Sequence, residues 1–140
     1  MLILSCDHAG FDFMARLCKY FDSKKIEYKY MGPVAFNAED DYPDFIHPAT
    51  KEVLKDKDNI GIFACGSGAG ANMVANRYKG IRSVAASDCA EAYFARKDED
   101  ANVLTIGARF TNFRLGLKII KVFLTSPFEG GRHLRRINKY

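Results

Sequence analysis

The chain alternates between two kinds of apolar segment, and this alternation limits its fold more than any other feature. Short, continuous apolar stretches are typical of strands buried on both faces of a sheet. We expect such strands at residues 2–6, 60–64, 81–86 and 103–106, with a weaker candidate at residues 27–30. Segments with the apolar spacing of a helix follow them, at residues 10–21, 44–55, 70–78, 88–96 and 112–124.

Five strand–helix repeats with short connections predict an α/β fold, a three-layer αβα, Rossmann-like domain with a five-stranded parallel sheet. In the second helix, we expect Pro48 in the first turns, where proline is least harmful. The segment at residues 112–124 is the last helix that the pattern predicts. Its expected buried stripe consists of Phe113, Leu117, Ile120 and Leu124.

Length and composition place the chain among ordinary globular proteins. Its 140 residues suit one domain, residues 1–140, and its 48% hydrophobic and 27% charged content excludes disordered and coiled-coil chains. No apolar run approaches the roughly 20 residues that a membrane helix needs. The four cysteines form no CxxC pair and follow no signal peptide, so we expect reduced thiols in a cytoplasmic protein.

The positive charge of the chain is concentrated at one end. Lys and Arg total 21 against 17 acids, and the last ten residues hold four of these cations and no acid. A nucleic-acid-binding protein would spread basic residues over a whole face. The local cluster therefore predicts a small anion as the partner, with neither nucleic acid nor a membrane.

The strongest local motif is the glycine-rich segment at residues 65–70, CGSGAG. Alternate glycines between a strand and a helix allow a tight turn whose N–H groups point into a concavity, which can hold an anion or an oxyanion. A plain tight turn is the alternative. Cys65 lies at the strand end beside these dipoles, which favour the thiolate and make it a candidate base or nucleophile. The other cysteines fit small buried hydrophobes.

The same segment also satisfies the dinucleotide pattern G-x-G-x-x-A over residues 66–71, with Asp88 about 20 residues further on. That fingerprint normally follows the first strand of a sheet, however, and here it follows the third. A chain of 140 residues also leaves no room for a separate substrate domain.

Polar residues at other strand ends are further candidates, because ligands of such sheets bind at the carboxyl ends of the strands. Asp7 and His8 follow the first strand and could hold sugar hydroxyls, although Asp7 could simply cap the helix. Near the end of the chain, Arg132 and Arg136 follow two glycines and could clamp a phosphate, with a solvated basic tail as the alternative.

Taken together, these motifs resemble the ribose-5-phosphate isomerase B family, which includes galactose-6-phosphate isomerase subunits. The matching pieces run in family order over nearly the whole chain: residues 5–11 (SCDHAGF), 41–44 (DYPD), 65–70 (CGSGAG), 76–82 (NRYKGIR), 100–104 (DANVL), 107–109 (GAR) and 128–133 (FEGGRH).

The resemblance implies a metal-free and cofactor-free isomerisation of ribose 5-phosphate to ribulose 5-phosphate through a cis-enediolate, a step of the pentose phosphate pathway. It implies that Cys65 is the base at C2 and that Ser67 shuttles a proton between O1 and O2. The N–H groups that would hold the enediolate belong to Gly66, Ser67, Gly68, Ala69 and Gly70. The implied sugar and phosphate contacts are Asp7, His8, Tyr42, Arg109, Arg132 and Arg136. Family members are homodimers or homotetramers with sites at the subunit interface.

The chain departs from the family pattern at one pair of positions. Where the family usually has His-Asn, with the histidine assigned to opening the sugar ring, this chain has Asp98 and Glu99. By position, Asp98 is the catalytic candidate and Glu99 a substrate contact. Either Asp98 or His8 could open the ring, or the enzyme could take only the open-chain sugar. The alternatives are an isomerase of another aldose 6-phosphate and a non-catalytic phosphate- or nucleotide-binding module.

Overall fold

A parallel five-stranded sheet forms the centre of the computed structural model, which describes residues 1–140. The strands are β1 (Leu2–Cys6), β2 (Tyr28–Tyr30), β3 (Ile60–Cys65), β4 (Ser83–Ala85) and β5 (Val103–Gly107). Their spatial order is β2-β1-β3-β5-β4, and every pairing is parallel. The predicted three-layer αβα, Rossmann-like fold is confirmed.

Six α-helices cover the sheet, and one turn of 3-10 helix (His8–Gly10) precedes the first of them. They are α1 (Phe11–Ser23), α2 (Tyr42–Val53), α3 (Ala69–Ala75), α4 (Cys89–Glu99), α5 (Phe113–Thr125) and α6 (Arg132–Ile137). None of these helices has the length and apolar character that crossing a membrane would require.

Strand side chains alternate between two cores on opposite faces of the sheet. In β1, Leu4 packs with α1, α4 and α5, whereas Ile3 packs with α2 and α3. In β3, Phe63 and Cys65 belong to the α2–α3 side. The thiol of Cys65 therefore lies at the end of a central strand, between the sheet and the two helices that begin at its carboxyl edge.

The predicted position of Pro48 is wrong, because α2 begins two residues earlier than expected. The structure starts the helix at Tyr42, with Pro43 in the first turn, so Pro48 lies in the helix interior. Proline is tolerated in the first turn of a helix, because the N–H groups there have no helical partner anyway. Pro48 instead removes a donor from the second turn, in a helix whose neighbouring Ile46 and Ala49 are fully buried.

Of the expected stripe of α5, only Ile120 is fully buried, while Phe113, Leu117 and Leu124 are partly buried and pack against the same core. The buried residues are Gly116, Ile119, Ile120 and Phe123. A Cβ at Gly116 would lie 2.5 Å from Cε2 of Phe13, so the glycine leaves room for this ring of α1 to pack against α5. A hydropathy pattern gives no weight to such a glycine. The predicted stripe therefore lies to one side of the fully buried face of the helix.

Helix α6 was not predicted. It has six residues and buries only His133, so it carries no apolar period that a sequence pattern could detect. Its position depends on contacts with α4, including a bond from the Glu129 N–H to the Lys97 carbonyl at 2.9 Å.

Candidate active site

A cavity of about 440 Å³ opens at the carboxyl edge of the sheet, where β1, β3 and β5 end. Its walls contain residues from the motifs at 5–11 and 65–70, from the loop before α2 and from the turn after β5. The predicted site residues that line it are Asp7, His8, Tyr42, Cys65, Gly66, Ser67, Gly70 and Arg109. A larger cavity of about 650 Å³ includes Arg82, Arg96 and Asp100. Those two arginines are paired with Asp100, and no thiol lines that cavity.

Cys65 is the last residue of β3 and is 3% exposed, with a free thiol. The loop that follows it, residues 66–70, supplies N–H groups without protein acceptors: none of the backbone N–H groups of Gly66, Ser67, Gly68 or Gly70 donates a hydrogen bond. The Ala69 N–H donates to Ser67 Oγ at 3.3 Å. Unpaired donors beside a thiol are the arrangement that can hold a developing oxyanion.

Glycine is required in this loop for two separate reasons. Gly68 has φ of +78°, in the left-handed region that residues with a Cβ avoid, and its Cβ would lie 3.0 Å from the Gly107 nitrogen. At Gly70 a Cβ would lie 2.7 Å from Cζ of Tyr42. The loop therefore turns tightly against β5 and lets the tyrosine ring reach the cavity wall.

Arg109 enters the cavity from the turn after β5. Its N–H donates to the Gly66 carbonyl at 3.0 Å, which ties this turn to the glycine loop. Its guanidinium packs so closely that a Cβ at Gly66 would lie 2.9 Å from Arg109 Cζ. The backbone of Arg109 is thus anchored to the glycine loop, and its exposed guanidinium brings a positive charge to the cavity wall.

Asp7 and His8 follow β1 into the same cavity. Asp7 Oδ1 accepts from the Gly10 N–H at 3.1 Å, so this residue caps the first helical turn as well as lining the cavity. His8 Nδ1 lies 2.6 Å from Oδ1 of Asp40, a residue that sequence reasoning missed. This hydrogen bond is the main cause that raises the pKa of His8 above its usual value. The only sequence signal for Asp40 was a run of three acidic residues, 39–41, directly ahead of Tyr42 and Pro43.

Gly68 and Ala69 belong to the glycine loop without lining the cavity, whereas the other four predicted site residues form a second group away from it: Asp98, Glu99, Arg132 and Arg136. Helix α4 runs back from the carboxyl edge, so its last turn, with Asp98 and Glu99, lies near the start of β5. Asp98 Oδ1 is 3.5 Å from Nε2 of His133, and both atoms are buried without a hydrogen-bond partner. Glu99 accepts from the Tyr140 hydroxyl at 3.1 Å.

Two arginines on α6 complete this second group. Arg132 is bonded to Glu129 at 3.0 Å and its side chain is 57% exposed, while Arg136 is exposed on the same short helix. Within one chain, therefore, neither arginine lines the cavity that contains Cys65.

Two clusters of carboxylate and histidine atoms come close enough together to suggest a metal ion, Asp7–His8–Asp40 and Asp98–Glu129–His133. In the first, the imidazole and the Asp40 carboxylate are already bonded to each other. In the second, Lys97 Nζ lies 2.7 Å from Glu129, and this cation competes with any metal for the carboxylate. The geometry therefore assigns a metal to neither cluster.

Asp88 does not reach the cavity. Its carboxylate caps α4 by accepting from the Glu91 N–H at 2.8 Å, which occupies the group that a dinucleotide-binding site would use for a ribose hydroxyl. The glycine loop also follows β3 rather than the first strand. Both observations weigh against the dinucleotide interpretation.

Comparisons with known proteins agree with this geometry. A family described as Ribose/Galactose Isomerase matches residues 2–140. The probable ribose-5-phosphate isomerase B of Mycoplasma genitalium is 37% identical over 139 residues, which cover 99% of this chain and 91% of the relative. The ribose-5-phosphate isomerase B of Escherichia coli is 30% identical over 136 residues, covering 97% and 91% of the two chains.

Solved structures of ribose 5-phosphate isomerases are also similar to this chain in fold and sequence. The crystal structure of the Mycoplasma genitalium protein with bound ribulose-5-phosphate superposes with a TM-score of 0.94 at 37% identity, covering 99% of this chain and 91% of that one. A ribose 5-phosphate isomerase from Thermotoga maritima gives a TM-score of 0.94 at 35% identity, with 99% and 94% covered.

Proposed function

The chain belongs to the ribose/galactose isomerase family, and on this premise we propose that it interconverts ribose 5-phosphate and ribulose 5-phosphate. Cys65 is the base of this reaction and the cavity at the carboxyl edge of the sheet is the active site. The single observation that carries the proposal is a buried thiol beside the unpaired N–H groups of the glycine loop, in a cavity of suitable size for a sugar phosphate.

The proposed chemistry needs only proton transfers. The Cys65 thiolate takes the proton from C2 of the open-chain aldose, and the electron pair of that C–H bond forms the C1–C2 double bond of the enediolate. The negative charge moves to O1, where the N–H groups of Gly66 to Gly70 stabilise it. The proton then returns to C1, which leaves a carbonyl at C2 and gives the ketose.

Ser67 supplies a hydroxyl that can transfer a proton between O1 and O2 of the substrate. O1 must gain a proton and O2 must lose one during the reaction, and a hydroxyl can accept one proton while it donates another. Ser67 lines the cavity next to Cys65, and its Oγ is an acceptor for the Ala69 N–H. Asp7, Tyr42 and Arg109 complete the sugar-binding walls in this proposal.

The phosphate requires residues that one chain does not bring to the cavity. Arg132 and Arg136 are the candidate phosphate ligands, with Asp98 as the residue beside the sugar ring, yet they belong to the α4–α6 group. A second copy of the chain that contributes its α4–α6 face would complete the site. We therefore propose a homodimer, or a homotetramer built from two such dimers, with each active site shared between two subunits.

The decisive experiment follows ketose formation from ribose 5-phosphate in D2O with a metal chelator present. We expect ribulose 5-phosphate to appear with deuterium at C1, because the base exchanges its proton with solvent before it returns it. Deuterium at C1 excludes a direct hydride shift from C2 to C1, which would bring in no solvent hydrogen. Absence of any ketose, together with tight binding of a nicotinamide nucleotide, would instead favour a binding module.

Another aldose phosphate remains the second candidate substrate, because the matching family is described as both ribose and galactose isomerases. A panel that includes hexose 6-phosphates separates the two, since the correct sugar gives the highest kcat/KM. The panel is necessary because this chain has Asp98 and Glu99 at the two positions where the family usually has His-Asn.

A further inference from the structure

His133 is the buried residue of α6, and its imidazole faces the last turn of α4. It is 4% exposed, and its Nε2 lies 3.5 Å from Oδ1 of Asp98. Both atoms are buried and neither has a hydrogen-bond partner. Such atoms are costly, because each has given up its bonds to water. Two of them that face each other indicate a functional pair, in which a small movement of either side chain completes a hydrogen bond.

The charged groups around this pair leave the two residues to each other. Glu129 is the other carboxylate near the imidazole, with Oε1 3.9 Å from His133 Nε2. That carboxylate is already engaged by Lys97 at 2.7 Å and by Arg132 at 3.0 Å. Lys97 Nζ is also 3.8 Å from Asp98 Oδ1, too far for a hydrogen bond. A proton on Nε2 of His133 is therefore directed at Asp98.

Asp98 is open to the surface on its other side. Its side chain is 28% exposed although Oδ1 is buried, and it lines a surface cavity of about 320 Å³ together with Phe94 and Glu99. The carboxyl group thus lies between the buried imidazole and a surface that a ligand can reach. This surface belongs to the α4–α6 face, which a second subunit contributes to the site in the proposed dimer.

Opening of a cyclic aldose phosphate needs a proton donor as well as an acceptor. The ring oxygen O4 must gain a proton, and the hydroxyl at C1 must lose one. An ordinary aspartate is ionised near neutral pH, so it accepts a proton but has none to donate. Imidazole groups in general exist in both forms at this pH. Asp98, in the place of the family's histidine, therefore needs a neighbour that supplies the proton.

We propose that His133 supplies this proton through Asp98, so that the two residues together open the furanose ring of the substrate. His133 Nε2 gives its proton to Asp98 Oδ1, and the carboxyl group protonates O4 as the C1–O4 bond breaks. The electron pair of that bond stays on O4. The Asp98 carboxylate then takes the proton of the C1 hydroxyl, whose O–H electron pair forms the C1 carbonyl, and a proton returns to His133.

The proton balance of this step is closed. One proton moves from O1 to O4, and both side chains end as they began. His133 is a positioning residue in this scheme, since it acts only through Asp98 and touches no atom of the sugar. The inference rests on the proposed function, because it requires a sugar phosphate that closes a ring.

The first experiment measures conversion of ribose 5-phosphate by rapid quench, with enzyme in excess, for the wild-type protein, His133→Gln and Asp98→Asn. Excess enzyme is needed because ring opening limits the reaction only when the open-chain sugar is consumed faster than the ring opens by itself. We expect the wild-type rate to rise in proportion to enzyme concentration. The rates of both variants should reach a ceiling at the spontaneous ring-opening rate, which NMR exchange between the anomers measures without enzyme. His47→Gln, an exposed histidine bonded to Tyr78, is the matched control and should behave as wild type.

The second experiment repeats these measurements with the 4-deoxy analogue of ribose 5-phosphate, which cannot close a ring because it lacks O4. A merely structural role of His133 would affect both sugars, whereas we expect every variant to convert the analogue in proportion to enzyme concentration. Adding Asp98→His to the His133→Gln variant places an imidazole directly at position 98. This double variant should lose the ceiling with ribose 5-phosphate.

A ceiling for both variants with ribose 5-phosphate alone supports the proposal. Variant rates that stay proportional to enzyme concentration with ribose 5-phosphate, or an equal loss with both sugars, would overturn it. A ceiling already present in the wild-type protein would mean that the enzyme takes only the open-chain sugar, which overturns this inference and leaves the proposed function standing. If the wild-type protein converts neither sugar, the proposed function is wrong and the inference fails with it.

Discussion

At the scale of single residues, the proposed isomerisation depends on the position of one thiol in the fold. Three of the four cysteines are core or partly buried groups, and burial raises the pKa of Cys6 to about 12, which keeps it protonated. Cys65 is also buried, but it differs from Cys6, which likewise ends a strand, because it lines the cavity beside the glycine loop. Its place in the sequence, directly before the glycine-rich segment, was enough to distinguish Cys65 from the other three cysteines.

Replacing Cys65 by alanine should abolish isomerisation and leave the fold and substrate binding intact. Removal of a general base costs roughly 10²- to 10⁴-fold in kcat. Initial rates of ketose formation measure the loss, and calorimetry with ribose 5-phosphate tests whether binding survives. Cys18→Ala and Cys89→Ala are the matched controls, since neither residue lines the cavity. Activity of Cys65→Ala within a few-fold of wild type would exclude this thiol as the base.

A second residue-scale prediction concerns Gly68. Both Gly68→Ala and Gly130→Ala force a Cβ onto a backbone with positive φ, +78° and +72° respectively, but only Gly68 has neighbours within 4 Å. The shared strain is worth about 1–2 kcal/mol. We expect the Gly68 variant to lose more stability than the Gly130 variant in urea unfolding, and to lose kcat as well because its N–H groups shift. Equal stabilities would show that contact with Gly107 carries no weight.

At the scale of elements, α6 is held by its charges rather than by an apolar face. Glu129 accepts from Lys97 at 2.7 Å and from Arg132 at 3.0 Å, and only His133 of the helix is buried. The hydrogen bond from Lys97 also lowers the pKa of Glu129. The helix therefore carries Arg132 and Arg136 on an exposed surface, where a second molecule can reach them.

Arg132→Ala and Arg136→Ala should each raise KM for the sugar phosphate while changing kcat little, because the phosphate does not react. Loss of one charge-assisted contact costs about 1.5–3 kcal/mol, roughly 10- to 150-fold in affinity. Arg135→Ala, on the same helix, is the control that should keep the wild-type KM. The slow turnover of unphosphorylated ribose should be insensitive to all three changes. A parallel fall with ribose would mean that these arginines do not serve the phosphate.

At the scale of the whole molecule, one chain holds two half-sites. The carboxyl-edge cavity has the proposed base and the proposed oxyanion donors, while the α4–α6 face has Asp98 and the arginines that we propose as phosphate ligands. Neither half is complete as a sugar-phosphate site by itself. This division is the structural reason for proposing a shared active site in an oligomer.

Subunit complementation tests that arrangement directly. Cys65→Ala and the double variant Arg132→Ala/Arg136→Ala should each be nearly inactive at low substrate concentration. In a dimer that contains one copy of each, one site receives an intact Cys65 and intact arginines. After the two proteins are mixed in equal amounts, unfolded and refolded together, random pairing should restore about a quarter of the wild-type activity. No recovery, with mixed dimers shown to be present, would place all these residues in one subunit's site.

What the sequence by itself determined was local. The alternation of strand and helix periods predicted the parallel αβα fold, and the CGSGAG motif predicted Cys65 and its loop as a candidate site, because neighbours along the chain create both signals. Tertiary structure alone decided the pairing of His8 with Asp40, which are 32 positions apart, and of Asp98 with His133. It also decided the rotation of α5, where Gly116 faces α1. Such contacts depend on how helices and loops pack across the sheet, and no local period records those distances.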